Sequence, residues 1–217
     1  MFANRADAGR QLADLLEPYA SSDAVIVAMP RGGLPVAAEI AERFGAPLDV
    51  VVVRKIGCPW QPELGLGAIA EGGIRVLNDG LVAETGVSPR ALEEASSRER
   101  TELARRVSLY RASHPAVPVQ GRVVILVDDG LATGYTARAA VAALRARDAG
   151  RVILAIPVGS EEGVEAMRAV ADDVVVIATP AWLFAIGEFY QDFRQLSDAQ
   201  VLATLDRVAT RIRTRPA

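Results

Sequence analysis

Apolar and polar positions along the chain fall into two alternating kinds of segment. Residues 23–30 (DAVIVAMP), 47–55 (PLDVVVVRK), 121–129 (GRVVILVDD), 150–158 (GRVILAIPV) and 172–180 (DDVVVIATP) are short runs, apolar nearly throughout. Runs of this kind predict strands covered on both faces, as in a parallel sheet, rather than half-exposed strands that alternate. Longer segments with helical spacing lie between them. Residues 5–20 carry Ala8, Leu12, Leu15 and Leu16 on one helical face. Residues 31–45 read as a tight turn feeding a helix, with Gly45 where a C-terminal cap belongs. A charged, solvent-facing helix is expected over 88–115, with Ser88 as N-cap and Pro89 at its first position. Further helices are expected from the end of the 121–129 run to about Asp148 and over 160–171. Residues 56–73 are dense in Gly and Pro and predict a mobile loop with a hairpin, of which 74–78 (IRVLN) would be one strand. The tail from 181 holds a cluster of aromatics and a final helix.

Strands that alternate with helices of this length predict an α/β fold: a doubly wound, mainly parallel core sheet of five strands with right-handed crossovers. Ligands of such sheets bind at the carboxyl ends of the strands, near the point where the winding reverses. Three of the runs deliver polar residues at that end: Arg31-Gly32-Gly33, Arg54-Lys55 and Asp128-Asp129. The chain carries no internal repeat.

Composition narrows the function classes. A chain of 217 residues, 51% apolar, is a single domain with elaborations. The net charge of −3 gives no field that would gather nucleic acid or an anionic membrane, and no apolar run approaches the roughly 20 residues that span a bilayer. Cys58 is the sole cysteine, so no intrachain disulfide forms and a reducing cytoplasm is expected. Arg5, Asp7 and Arg10 interrupt the stretch where a signal peptide needs its apolar core. All basic residues but one are Arg; the exception, Lys55, ends an apolar run and raises the question of whether a compact ammonium is needed there.

The chemistry concentrates after residue 127. Gly130, Leu131, Ala132, Thr133, Gly134, Tyr135 and Thr136 join a strand to a helix start. Free N–H groups and the positive end of the helix dipole make such a junction an anion site. Gly130 and Gly134 let the backbone approach a ligand, and Thr133 and Thr136 add hydroxyl donors. The string is neither a Walker loop, lacking Gly-Lys-Thr/Ser, nor a dinucleotide fingerprint. Two carboxylates beside a phosphate cradle repel what the cradle attracts unless a donor lies between them. Ionised carboxylates only accept, and vicinal sugar hydroxyls donate. A ribose 5-phosphate satisfies both: its phosphate on residues 130–136, its 2′- and 3′-hydroxyls on Asp128 and Asp129. The plainer reading is a strand end with two solvated acids and an ordinary turn.

VVILVDDGLATGYT (123–136) resembles the phosphoribosyl-pyrophosphate (PRPP) signature of type I phosphoribosyltransferases. AMPRGG resembles that family's pyrophosphate loop. The combination of PRGGLPVA, DVVVVRKIG and IGEFYQDF resembles a bacterial group of phosphoribosyltransferases of unassigned substrate, and this wider resemblance spans most of the chain. It implies one phosphoribosyltransferase domain over 1–217: a core of about 21–180, a helical insertion of about 80–115, and a hood from about 180 to 217 with the N-terminal helix. It also implies a pentosyltransferase of nucleotide metabolism that moves the 5-phosphoribosyl group of PRPP to a nitrogenous base and releases pyrophosphate, with Mg²⁺ arriving on PRPP. The alternative on the same fold is a non-catalytic PRPP-sensing regulator.

Under this resemblance Arg31 and the Gly32 and Gly33 amides clamp pyrophosphate, and Lys55 joins them; as a residue, Lys55 reads equally well as a snorkelling surface lysine. Arg54 would face the other side of the pleat. Glu63, in the catalytic-loop region, is a candidate proton acceptor or base contact, and Trp60 a lid residue; both also read as loop surface. Trp182 and Phe184 would stack the base in the hood, or belong to the core. No residue is a clear direct metal ligand; Asp192 would hold a Mg²⁺-bound water, or is a solvated acid. Relatives that use 6-oxopurines carry an acid just before Thr-Gly; Ala132 stands there, which disfavours such substrates. The partners implied are PRPP and a small base, without nucleic acid or membrane. The 74–115 segment reads as a homodimer interface or as solvated surface.

Overall fold

The computed structural model describes residues 1–21 and 23–214. In chain order the elements are α1 (Arg5–Leu15), β1 (Val25–Ala28), α2 (Gly33–Phe44), β2 (Leu48–Val50), β3 (Val53–Cys58), β4 (Gln61–Ala70), β5 (Ile74–Leu77), α3 (Asp79–Thr85), α4 (Pro89–Arg111), β6 (Val123–Val127), α5 (Tyr135–Arg145), β7 (Arg151–Val158), α6 (Glu161–Arg168), β8 (Asp173–Ala178) and α7 (Asp198–Arg213). The core sheet has five parallel strands in the order β2-β1-β6-β7-β8. The expected α/β architecture is thus present.

The apolar runs are buried because both faces of the sheet are covered. Ile26, Ile125 and Ile153 pack with α1, α2 and α7 on one side. Val25, Val124, Val152 and Val174 pack with α5 and α6 on the other. The side-chain alternation of a strand sends successive residues into the two layers, which is why the sequence shows no polar alternation.

The winding reverses between β1 and β6. From β1 the chain steps to β2 on one side; from β6 it steps through β7 to β8 on the other. The loops after β1 and β6 therefore splay from adjacent strand ends and leave a crevice between them.

One expected strand is two. Residues 47–55 end their core pairing at Val50, cross through buried Val51 and Val52, and resume as β3 in a separate antiparallel sheet of order β3-β4-β5. The expected mobile loop over 56–73 is mainly the long hairpin of this small sheet. Its glycines mark close approach rather than looseness: a Cβ on Gly57 would lie 2.4 Å from the Pro62 carbonyl oxygen, and one on Gly67 would lie 2.2 Å from that of Val76. The sheet is held from both faces, with Ala68 and Ala70 in the α5 layer and Ile56, Leu66 and Ile69 in the layer that includes α4.

Helix α3 lies at the start of the expected helical insertion of about 80–115 but has no separate counterpart among the expected elements, although its signals are local: Asn78 accepts a hydrogen bond from the Leu81 N–H as N-cap, and Gly86 closes it at φ 62°. Helix α7 buries Val201, Leu205 and Val208 in the same core layer as α2.

Candidate functional site

The crevice is built by two strand-to-helix junctions. Among the described residues, α1, α3, α4, α6 and α7 begin with a side-chain cap, from Asn4, Asn78, Ser88, Ser160 and Ser197. The two α-helices without one are α2 and α5, whose N-cap positions are Gly32 and Gly134 and which carry no acid in their first turns. These are the helices that start at the crevice. The positive ends of both dipoles turn to the same opening; at α2 the Gly33 N–H already donates to the Met29 carbonyl at 3.0 Å and the Leu34 N–H to the Arg31 carbonyl at 3.3 Å.

The α5 junction is rigid. The Leu131 N–H donates to the Val158 carbonyl at 2.9 Å and the Leu131 carbonyl accepts from the Ser160 N–H at 2.9 Å. The Ser160 hydroxyl donates to the Ala132 carbonyl at 2.6 Å. Gly134 turns the chain into α5 at φ 78°, a left-handed conformation that suits glycine. All of residues 130–136 line one cavity of about 410 Å³, faced from the hairpin by Lys55 and Glu63 and closed at one end by Ile186. Hence Lys55, Glu63 and the 130–136 loop, distant in sequence, meet across one space.

At the end of β6, Asp128 and Asp129 are half-buried. The Asp129 N–H donates to Asp128 Oδ1 at 2.9 Å. Burial, and then the neighbouring Asp129 charge, push the Asp128 carboxyl well above the usual carboxylate range; the Asp129 amide opposes this. The other junction packs directly on the pair. A Cβ on Gly32 would lie 2.0 Å from Asp129 Oδ2, and one on Gly33 would lie 2.5 Å from the Val127 carbonyl oxygen. Only glycine permits this approach. Arg31 follows a cis Pro30–Arg31 peptide bond and forms no ion pair among the described residues.

Other expected residues lie as follows. Arg54 pairs with Glu99 of α4 at 2.8 Å, on the face opposite Lys55, as the pleat requires. Lys55 Nζ donates to the Glu63 carbonyl. Trp182 and Phe184 are exposed and Trp60 stands at the exposed hairpin tip. Asp192 is exposed and accepts from Arg194, at 2.6 Å in the shortest contact; the guanidinium holds its carboxyl below the ordinary range. Cys58 is buried within β3. Among the described residues no group of three or more His, Cys, Asp or Glu could hold a metal ion, and no helix is long and apolar enough to cross a membrane.

Sequence reasoning missed Arg5, Tyr190 and Phe193. Arg5 Nε donates to Asp129 Oδ2 at 2.7 Å, across 124 residues of chain. The Tyr190 hydroxyl donates to the Asp129 carbonyl at 2.6 Å, and burial, then the Asp129 charge, push that phenol far up. Tyr190 stacks on Phe193 with ring centroids 5.0 Å apart. No local signal marks Arg5; IGEFYQDF marked its segment without assigning roles.

A sequence model described as "Phosphoribosyl transferase domain" matches residues 3–193. The chain belongs to the phosphoribosyl transferase domain family. Two Mycobacterium tuberculosis proteins, from strains CDC 1551 / Oshkosh and H37Rv and each named "Putative phosphoribosyl transferase", are 47% identical to it over 207 residues, 95% of this chain. The chain spans 47% of the length of these relatives. The crystal structure of TT1426 from Thermus thermophilus superimposes with a TM-score of 0.78 at 41% identity, covering 94% of this chain and 97% of that one. The matched stretch is residues 3–193. It therefore includes both crevice junctions, the hairpin and Arg5.

Proposed function

We propose that the protein transfers the 5-phosphoribosyl group of PRPP to a nitrogenous base or a related acceptor and releases pyrophosphate. The observation that carries this reading is the meeting of the two uncapped helix starts, α2 and α5, on either side of the Asp128–Asp129 pair. PRPP has two anionic ends and a diol between them. The α5 junction suits the 5-phosphate, the α2 junction with Arg31 suits the pyrophosphate, and the carboxylates suit the 2′- and 3′-hydroxyls.

In the reaction a ring nitrogen of the acceptor forms a bond to C1 of the ribose while the C1–oxygen bond to pyrophosphate breaks, the leaving oxygen taking the electron pair. Negative charge gathers on the pyrophosphate and positive charge on the sugar. The Gly32 amide, Arg31 and Lys55 oppose the first, while the Gly33 N–H, expected to join them, is already taken by the Met29 carbonyl at 3.0 Å. Asp128 and Asp129 steady the second while they hold the diol. Glu63, beside Lys55 at the cavity wall, is the candidate acceptor for the proton that the ring nitrogen gives up.

The donor set fits Mg²⁺ carried by the substrate rather than caged by protein. Mg²⁺ takes substrate phosphate oxygens and keeps waters, and the described residues offer no three-ligand cluster. When bound with PRPP it supplies positive charge to the departing pyrophosphate. Because Arg194 already holds Asp192, a water-mediated Mg²⁺ contact there would require that pair to open.

The test is isothermal calorimetry with PRPP and Mg²⁺, followed by detection of pyrophosphate with a panel of bases. Binding with turnover on one base supports the transferase. Binding without turnover on any base favours a PRPP sensor. The double variant Asp128→Asn with Asp129→Asn is expected to lose PRPP binding while keeping its far-ultraviolet circular dichroism; unchanged affinity would overturn the ribose assignment.

A further inference from the structure

Asp129 has a partner that phosphoribosyl transfer does not by itself call for. Arg5 Nε lies 2.7 Å from Asp129 Oδ2, and the two side chains are only 11% and 15% exposed. Arg5 is held from two further directions. Its Nη1 donates to the Arg194 carbonyl at 3.0 Å, and its guanidinium carbon lies 3.8 Å from the centre of the Phe193 ring.

The backbone around it is clasped. The Phe2 N–H donates to the Phe189 carbonyl at 2.7 Å, the Gln191 N–H to the Phe2 carbonyl at 2.9 Å, and the Asp192 N–H to the Ala3 carbonyl at 3.0 Å. The Tyr190 hydroxyl, from the same clasp, holds the Asp129 carbonyl. Asp129 is therefore gripped at its side chain by Arg5 and at its backbone by Tyr190. The oxygen that Arg5 holds, Oδ2, is also the Asp129 atom nearest the bare backbone of Gly32, 2.0 Å from where a Cβ would stand.

Two adjacent carboxylates at a half-buried strand end repel each other, and the repulsion favours protonating one of them. A fixed cation on one acid relieves that and leaves acceptor capacity over, since a carboxylate has about four lone-pair sites and Arg5 takes one oxygen. The guanidinium does so without blocking Asp128.

We propose that Arg5 is a positioning residue of the phosphoribosyl site, which orients and charge-balances Asp129 so that the carboxylate pair can hold a sugar diol. This rests on the PRPP reading above. It makes the N-terminal arm, together with residues 186–194, a working part of the ribose site.

The test is calorimetric PRPP affinity, with Mg²⁺ present, for the unaltered protein and for Arg5→Met, Arg5→Gln and Arg5→Lys, with the melting temperature of each. Met keeps an unbranched stem over Phe193 and removes the charge; Gln keeps donors without charge; Lys keeps the charge. The expected result is about tenfold to hundredfold weaker PRPP binding for Met, since a charge-assisted hydrogen bond is lost. Lys is expected to regain part of the loss and Gln less, with melting temperatures within about 3 °C of one another. A purely structural clasp would instead lower the melting temperature in step with affinity and show no advantage for Lys, which would overturn the proposal. Unchanged PRPP affinity in Arg5→Met and Arg5→Gln would also overturn it. Tighter binding in those variants would overturn it too, by showing that Arg5 competes with the sugar for Asp129. If the unaltered protein does not bind PRPP, the phosphoribosyl reading itself falls, and the role of Arg5 with it.

Discussion

Asp128 is a residue that works against the fold that carries it. Burial and the charge of Asp129 raise its carboxyl above the unfolded value. The native state therefore holds this proton to higher pH than the unfolded chain does. Below the unfolded carboxylate range both states are protonated and the group costs nothing. As pH rises through the native value the cost appears in full, and it persists at neutrality. Asp128→Asn is accordingly expected to melt a few degrees higher than the unaltered protein at pH 7.5, with the gap closing as pH falls towards about 4. Differential scanning calorimetry across that range checks it; an equal or lower melting temperature at pH 7.5 would show that the acid is better satisfied than its surroundings suggest. The string DDGLATG raises by itself the question of which donor meets these acids. It cannot show that one donor is Arg5, because the pairing of Arg5 with Asp129 depends on how α1 docks, not on anything near either residue.

At the scale of elements, the small sheet sets where Lys55 and Glu63 stand relative to the 130–136 loop. Its tolerance is slight where β4 meets β5. Gly67→Ala would drive a Cβ into the Val76 carbonyl and within 2.9 Å of Leu77 Cα, both backbone. The expected cost is about 1–3 kcal/mol, from strand displacement, read as a lower urea midpoint. Undiminished stability would mean that β5 shifts freely. The strands and helices of the core were legible in the apolar runs and capping residues. The small sheet was legible only as a hairpin within a mobile loop, because Gly and Pro density signals loops by composition, while these glycines serve close packing. The break at Val51 and Val52 was hidden for a similar reason: a buried crossing between sheets is as apolar as a buried strand.

Across the whole molecule, Asp49 ties distant parts together at the β2 edge of the core sheet. It is 3% exposed. Its carboxylate accepts from Arg111 at the end of α4, from the Val117 N–H at 3.1 Å, from Arg147 beyond α5 at 3.4 Å, and from the Val50 N–H at 2.8 Å. Arg111 also reaches the Val50 carbonyl at 2.7 Å and Glu71 at 3.3 Å. Asp49→Ala would leave two guanidinium groups short of their shared anion, with an expected loss of roughly 3–5 kcal/mol in the unfolding free energy. Because none of these groups is among the residues assigned to PRPP, and none lines the cavity of the 130–136 loop, PRPP affinity of the folded variant is expected to be unchanged. A variant as stable as the unaltered protein would show that water replaces the carboxylate.

The sequence by itself determined the doubly wound character of the sheet and the strand-to-helix turn after residue 129. Both arise from near neighbours: apolar runs too short for helices, and a strand-to-helix junction rich in Gly and Thr. The tertiary structure alone decided which junctions share the crevice, since strand order follows from packing between distant segments. It also decided that α2 and α5 both go uncapped at one opening, that the hairpin closes one wall, and that Arg5 sits on Asp129. Each of these is a contact between residues far apart in the chain, and its energy exists only once both sides have been brought together by the core.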